Sequence, residues 1–176
     1  ISYNFSIIII KEVPIDVATE IFTRINVGGK PLSLFEIMVA KTYDYDKDFD
    51  LSKKYQQLIE ELESAGYETI SDATVLQTLS VILKKECTRK TIKNKKKDDI
   101  IDSWDSTVDS IKKSIDYFKN FYRIPVSQLL PYNALIVPFS YYFFKMKDKS
   151  TGDKQKYLQD YFWRCSLSGR FSSSVE

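Results

Sequence analysis

Ile101-Asp102-Ser103-Trp104-Asp105-Ser106-Thr107-Val108-Asp109-Ser110-Ile111-Lys112-Lys113-Ser114-Ile115-Asp116-Tyr117-Phe118-Lys119-Asn120-Phe121-Tyr122 is the stretch that decides the fold. Its apolar residues Ile101, Trp104, Val108, Ile111, Ile115, Phe118 and Tyr122 alternate spacings of three and four, which on a helix draws one continuous stripe. Asp98-Asp99 places negative charge where a helix N-terminus favours it. The stripe runs about three heptads, a length that packs inside a bundle more readily than it forms a free coiled pair. An oligomerising bundle built on the same stripe is the alternative.

Working outward, the neighbouring segments also read as helices. Asp16 is placed to cap a helix carrying Val17, Ile21, Phe22 and Ile25, and Gly28-Gly29 to end it. Ser33-x-x-Glu36 is a capping box opening a helix from Leu34 to about Thr42, with Leu32 and Ile37 spaced as a hydrophobic staple. The charged run from Asp44 to Asp50 reads as a solvated connection. Its alternating acids lack the central Gly and the final Glu of a calcium loop.

Asp50 caps a helix with Leu51, Tyr55, Leu58, Ile59 and Leu62 on one face, stopped at Gly66; Ser71 or Asp72 caps another with Val75, Leu76, Leu79, Ile82 and Leu83. Leu129 to Phe144 is apolar nearly all round, which predicts a buried helix kinked at Pro138. It falls short of the roughly 20 residues of a membrane span. The last helix aligns Tyr157, Leu158, Tyr161, Phe162 and Cys165, with Gly169 at its end.

The N-terminal Tyr3–Val13 segment differs. Ile7-Ile8-Ile9-Ile10 suits a short strand buried on both faces, and no second strand pattern follows to pair with it. The fold expected is therefore mainly α, a multi-helix bundle with one short N-terminal strand left from a truncated α/β domain. Residues 1–45 read as that remnant and residues 46–176 as the helical domain.

The chain contains no histidine among its 176 residues, which excludes a Ser/His/Asp triad, a Cys/His dyad or a His-ligated zinc site within it. Adjacent acids such as Asp98-Asp99 and Glu60-Glu61 point apart on a helix and make poor acid/base pairs. Cys87 and Cys165 are widely separated and lack a CxxC partner, as in a reduced cytoplasmic protein. No catalytic residue and no metal ligand set is expected.

Three clusters remain as candidate sites. Arg24, Asn26, Gly28, Gly29, Lys30 and Ser33 combine cations, a glycine turn and a helix start, and could hold an anion such as a nucleotide phosphate. The plainer reading is an ordinary helix stop with solvated cations. Arg164, Ser168, Gly169 and Arg170 form a second polar group beside Trp163. From Lys84 to Lys97, Lys84, Lys85, Arg89, Lys90, Lys93, Lys95, Lys96 and Lys97 face a single acid, Glu86. Such a run is either a DNA-phosphate surface, with Lys93, Lys95, Lys96 and Lys97 as its densest part, or a solvated linker.

Phe22-x-Arg24-x-Asn26-x-x-Gly29-x-x-Leu32-Ser33, followed by Phe162-Trp163-Arg164 and Ser168-Gly169-Arg170-Phe171-Ser172, resembles the GmrS-like region of the GmrSD family of type IV restriction proteins. In that family a ParB/sulfiredoxin-like domain with an Asp-Gly-Gln-Gln-Arg signature is associated with nucleotide hydrolysis, a helical region follows, and an HNH-like nuclease domain cuts modified phage DNA. The signature and the nuclease histidines are missing here, and Phe171 stands where the family has Tyr. The resemblance implies a non-catalytic helical fragment of an NTP-dependent anti-phage endonuclease, contributing part of a nucleotide or DNA site. It implies no cofactor in this chain, an NTP and a divalent metal in the whole protein, and as partners DNA, an upstream ParB-like segment and a nuclease domain; the Ile101–Tyr122 stripe adds a second copy as a partner, and the short apolar run implies no membrane. A helical nucleic-acid-binding or protein-interaction module unconnected to nucleotide hydrolysis is the other reading.

Overall fold

Side-chain caps mark where the helices that start at Leu34, Leu51, Asp72 and Arg89 begin. The computed structural model describes residues 9, 11, 13, 14, 17, 18, 20, 21, 24, 32–146 and 152–168. Val17, Ala18, Glu20, Ile21 and Arg24 are helical, in the stretch where a first helix is expected. Helix α1 is Leu34–Thr42 and carries the full capping box: Ser33 Oγ accepts from the Glu36 N–H at 3.1 Å, and Glu36 Oε2 accepts from the Ser33 N–H at 2.7 Å. Helix α2, Leu51–Glu63, is capped by Asp50, whose Oδ1 accepts from the amides of Ser52 and Lys53. Helix α3, Asp72–Lys84, is capped by Ser71, which resolves the choice between Ser71 and Asp72.

Next come a short helix α4, Arg89–Lys93, the long helix α5, Lys97–Asn120, and helices α6, Ile136–Lys145, and α7, Asp153–Leu167. Two 3-10 turns, Ser127–Leu129 and Asn133–Leu135, precede α6. The expected continuous helix from Leu129, kinked at Pro138, is thus corrected. Pro138 occupies the third position of α6, where a helix has no use for the missing N–H, so the chain turns before the helix and not within it.

Among the described residues there is no strand, only an antiparallel bridge between Asp44 and Phe49 that closes a tight turn. Most of the expected strand at residues 3–13 lies outside the described residues; Ile9, Lys11 and Val13 are exposed and belong to no strand. The Asp44–Asp50 connection is less solvated than its charge implies, because Phe49 is buried edge-on against Trp104, with ring centroids 6.2 Å apart.

Helix α5 is the mast of the bundle, packing on α6, α3 and α1, while α3 also packs on α6. Trp104, Ile111, Ile115 and Phe118 are buried as the stripe requires, but so are Ile100, Thr107, Ser110 and Ser114. The buried face is therefore wider than a two-helix seam, as helices contacting α5 from several sides demand. The hydroxyls of Thr107, Ser110 and Ser114 are satisfied: Ser114 donates to the Ile111 carbonyl at 2.7 Å and lies 3.1 Å from Ser140 on α6. Aromatic rings fill the space where α5, α6 and α7 meet, with Phe118, Tyr122, Phe139 and Phe162 in mutual contact. Met38 of α1 belongs to the same core as Ile111 and Phe139, so the core crosses the division expected at residue 45.

The loop after α2 is clipped to the loop after α5. Tyr67 is fully buried and donates to the Ile124 carbonyl at 3.0 Å, Thr69 and Ser127 hydroxyls lie 2.5 Å apart, and the Ser127 N–H donates to the Gly66 carbonyl at 2.9 Å. Burial pushes the Tyr67 hydroxyl up to about 12. Unfolded tyrosine ionises near pH 10, so above that pH the unfolded chain binds fewer protons than the fold, and stability falls as pH rises. The contribution is intact below pH 10 and is lost through about pH 12, on the order of 2 kcal/mol. Urea midpoints between pH 9 and 11 should drop more steeply in the wild type than in Tyr67→Phe. Equal slopes would refute this role for Tyr67.

Candidate functional site

The basic run is held as a folded excursion between α3 and α5, and so is no linker. After Lys85 leaves α3 in a left-handed conformation, Thr88 caps α4 by accepting from the Thr91 N–H at 3.2 Å. Ile92 enters the core, the Ser80 hydroxyl donates to the Glu86 carbonyl at 2.6 Å, and Lys41 of α1 donates to the Lys93 carbonyl at 3.0 Å.

Around these anchors, Lys84, Lys85, Arg89, Lys90, Lys93 and Lys96 are exposed, and none is in an ion pair with a described residue. The Glu86 carboxylate, the acid within the run, accepts from the Thr91 hydroxyl at 2.9 Å. The excursion therefore presents uncompensated positive charge on a fixed backbone, which can attract phosphate.

Two of the four lysines expected as the densest DNA contact have other partners. Lys95 is 3% exposed and donates to the Ser80 carbonyl at 3.4 Å, which corrects its place on the surface. Burial, with Lys84 nearby, lowers its pKa. Lys97 bonds Asp44 at 2.9 Å; that ammonium and the Lys47 N–H hold the Asp44 carboxyl below its usual range. Lys47 in turn reaches Asp98 at 2.7 Å. Lys93 and Lys96 remain on the exposed surface.

In the first cluster, Asn26, Gly28, Gly29 and Lys30 lie outside the described residues. Arg24 is paired with Glu20 at 2.7 Å, one helical turn away, and both side chains are exposed. Ser33 gives both its hydroxyl and its amide to the capping box with Glu36. In the C-terminal cluster, Gly169 and Arg170 lie outside the described residues. Arg164 pairs with Asp160 at 2.9 Å, and with Trp163, Leu167 and Ser168 it lines an open recess of about 500 Å³ on α7.

A groove of about 300 Å³ between α2 and α5 is absent from the sequence expectations. Lys54, Glu61, Asp105 and Lys112 stand around a floor containing Leu58 and Trp104, and Lys112 is ion-paired with Glu61. Its signal in the sequence is the polar spacing of four, at Gln57/Glu61 and Asp105/Asp109, bordering two apolar stripes. Asp44 and Asp50 are committed to Lys97 and to the α2 cap. Among the described residues, no three acids or cysteines gather as a metal site. Cys87 is exposed and Cys165 buried, both as free thiols, and no described helix is long and apolar enough to cross a membrane. No protein family, curated protein or solved structure matches this chain.

Proposed function

We propose that this chain is a non-catalytic helical module that binds the phosphate backbone of DNA through the basic residues 84–96, at the end of α3 and on the excursion that follows it. The observation that carries this is the set of exposed cations Lys84, Lys85, Arg89, Lys90, Lys93 and Lys96, free of ion pairs with described residues on a segment anchored at several points. In the setting that the GmrSD resemblance implies, nucleotide hydrolysis with its NTP and divalent metal, and strand cleavage by a nuclease domain, belong to other segments. The module then contributes affinity for the DNA that those segments act on. A nucleotide at the Arg24–Ser33 cluster is the second reading; of its described members, Ser33 bonds its cap partner Glu36 and Arg24 pairs with Glu20.

Binding of a fluorescent duplex, titrated across salt concentrations, tests this. Log affinity should fall linearly with log salt, with a slope of about −0.9 for each phosphate neutralised. The triple variant Arg89→Gln/Lys90→Gln/Lys93→Gln should bind more weakly and flatten the slope by about 2 to 3. No binding at low salt, or an unchanged slope in the variant, rejects the proposal.

A further inference from the structure

Within the basic run, one lysine is turned inward. Lys95 lies two residues before α5, and its side chain is almost wholly removed from solvent. Its Nζ lies 3.4 Å from the carbonyl oxygen of Ser80, near the C-terminal end of α3, where the helix dipole favours a cation. Ser80 is also fully buried, and its hydroxyl holds the Glu86 carbonyl at 2.6 Å. The same residue of α3 thus grips the excursion near both its beginning and its end. Between these grips Ile92 sits in the core, and the Lys95 N–H donates to the Ile92 carbonyl at 3.1 Å.

Burying an ammonium is costly, and an apolar residue would fill the position at lower cost if packing were all that it required. What the charge adds is direction: it must stay on a carbonyl, and so it fixes where the chain re-enters the bundle. We propose that Lys95 is an internal latch and not a phosphate contact, holding the 86–96 excursion in the position that presents Arg89, Lys90, Lys93 and Lys96 to solvent. As a positioning residue for DNA, Lys95 rests on the function proposed above; as a latch on the excursion, it stands by itself.

Competitive amine labelling of the wild-type protein, read by mass spectrometry, separates the two. Without DNA, Lys95 should react at least about tenfold more slowly than Lys93 and Lys96, as a buried amine reached only through local opening. Labelling at the rate of its neighbours overturns the latch. With a saturating duplex, Lys90, Lys93 and Lys96 should become protected while Lys95 is unchanged. If no lysine gains protection, the DNA reading fails and the latch stands.

Lys95→Met adds a functional readout. Amide exchange across residues 86–96 should quicken by about tenfold or more, and duplex affinity should fall with the salt slope kept, because no phosphate contact is removed. Lys95→Arg, which keeps the charge, should recover part of both. Unchanged exchange together with a slope flattened by about one would make Lys95 a direct phosphate contact and overturn the proposal. If Lys95→Met does not fold, the wild-type labelling decides.

Discussion

Phe118→Ala is expected to lower the stability of the fold by about 3–5 kcal/mol, the range for a fully buried Phe whose surroundings cannot collapse onto the space left behind. Phe118 has no exposed surface, and its ring lies 4.7 Å from Phe139 of α6 and 6.2 Å from Phe162 of α7, centroid to centroid. Those rings are themselves wedged, with Phe162 stacked on Tyr122 at 4.0 Å and Phe139 against Tyr117 at 6.1 Å. Movement of either to fill the gap would break contacts with its own neighbours, so the cavity persists. Urea unfolding followed by circular dichroism measures the loss, and Phe118→Leu should recover more than half of it. The double variant with Phe139→Ala should cost less than the sum of the two singles by about 0.5–1.5 kcal/mol, because one ring pair is counted twice. Strict additivity would show that the two rings do not support each other.

Gly66→Ala is the second large effect, with an expected loss of about 2–4 kcal/mol from two independent causes. Gly66 sits at φ +75°, where a Cβ costs roughly 1–2 kcal/mol by its clash with the backbone. A Cβ there would also lie 2.8 Å from Val126 Cγ1 and 3.2 Å from the Pro125 carbonyl oxygen. Relieving that contact means parting the two clipped loops. The Ser127 bond to the Gly66 carbonyl and the Lys119 bond to the Ala65 carbonyl, both 2.9 Å, would then stretch. Gly152 gives a contrast: it too has positive φ, +61°, but a Cβ there meets no described atom within 4 Å. Gly152→Ala should therefore show only the backbone part. A Gly66→Ala loss that is not reduced in a Val126→Ala background, which lacks the contacting Cγ1, would remove Val126 from the account.

What could be read from the sequence is what short-range chemistry dictates. The start of α1 follows from Ser33 and Glu36, whose two reciprocal bonds need no other part of the protein, and the start of α2 follows in the same way from Asp50. The Gly66 stop was equally local. The region before α6 is not legible in the sequence, because an apolar run with prolines has no period to show where the helix begins; packing of Leu130 and Leu135 into the core decides it. Helix α4 was hidden among lysines, since a five-residue helix with Arg89, Lys90 and Lys93 exposed looks like any solvated loop until Ile92 is seen to be buried.

The candidate DNA surface was legible as a concentration of charge but not as a surface. Composition does not reveal that Lys95 turns inward to Ser80 and Lys97 toward Asp44, because the partners come from α3 and from the turn after α1. The groove between α2 and α5 was missed for the same reason: its walls are ordinary polar helix faces that acquire meaning only when set side by side.

The clip between residues 64–70 and 124–127 also orders events while the chain is being made. Tyr67 and Thr69 find their partners Ile124 and Ser127 57 and 58 residues further along. When α2 has left the ribosome, the loop that follows it has no acceptor for the Tyr67 hydroxyl until the whole of α5 has emerged. At the usual pace of translation, roughly 5–20 residues per second, that wait lasts about 3 to 12 seconds. During it α1 and α3 expose faces that α5 will later cover.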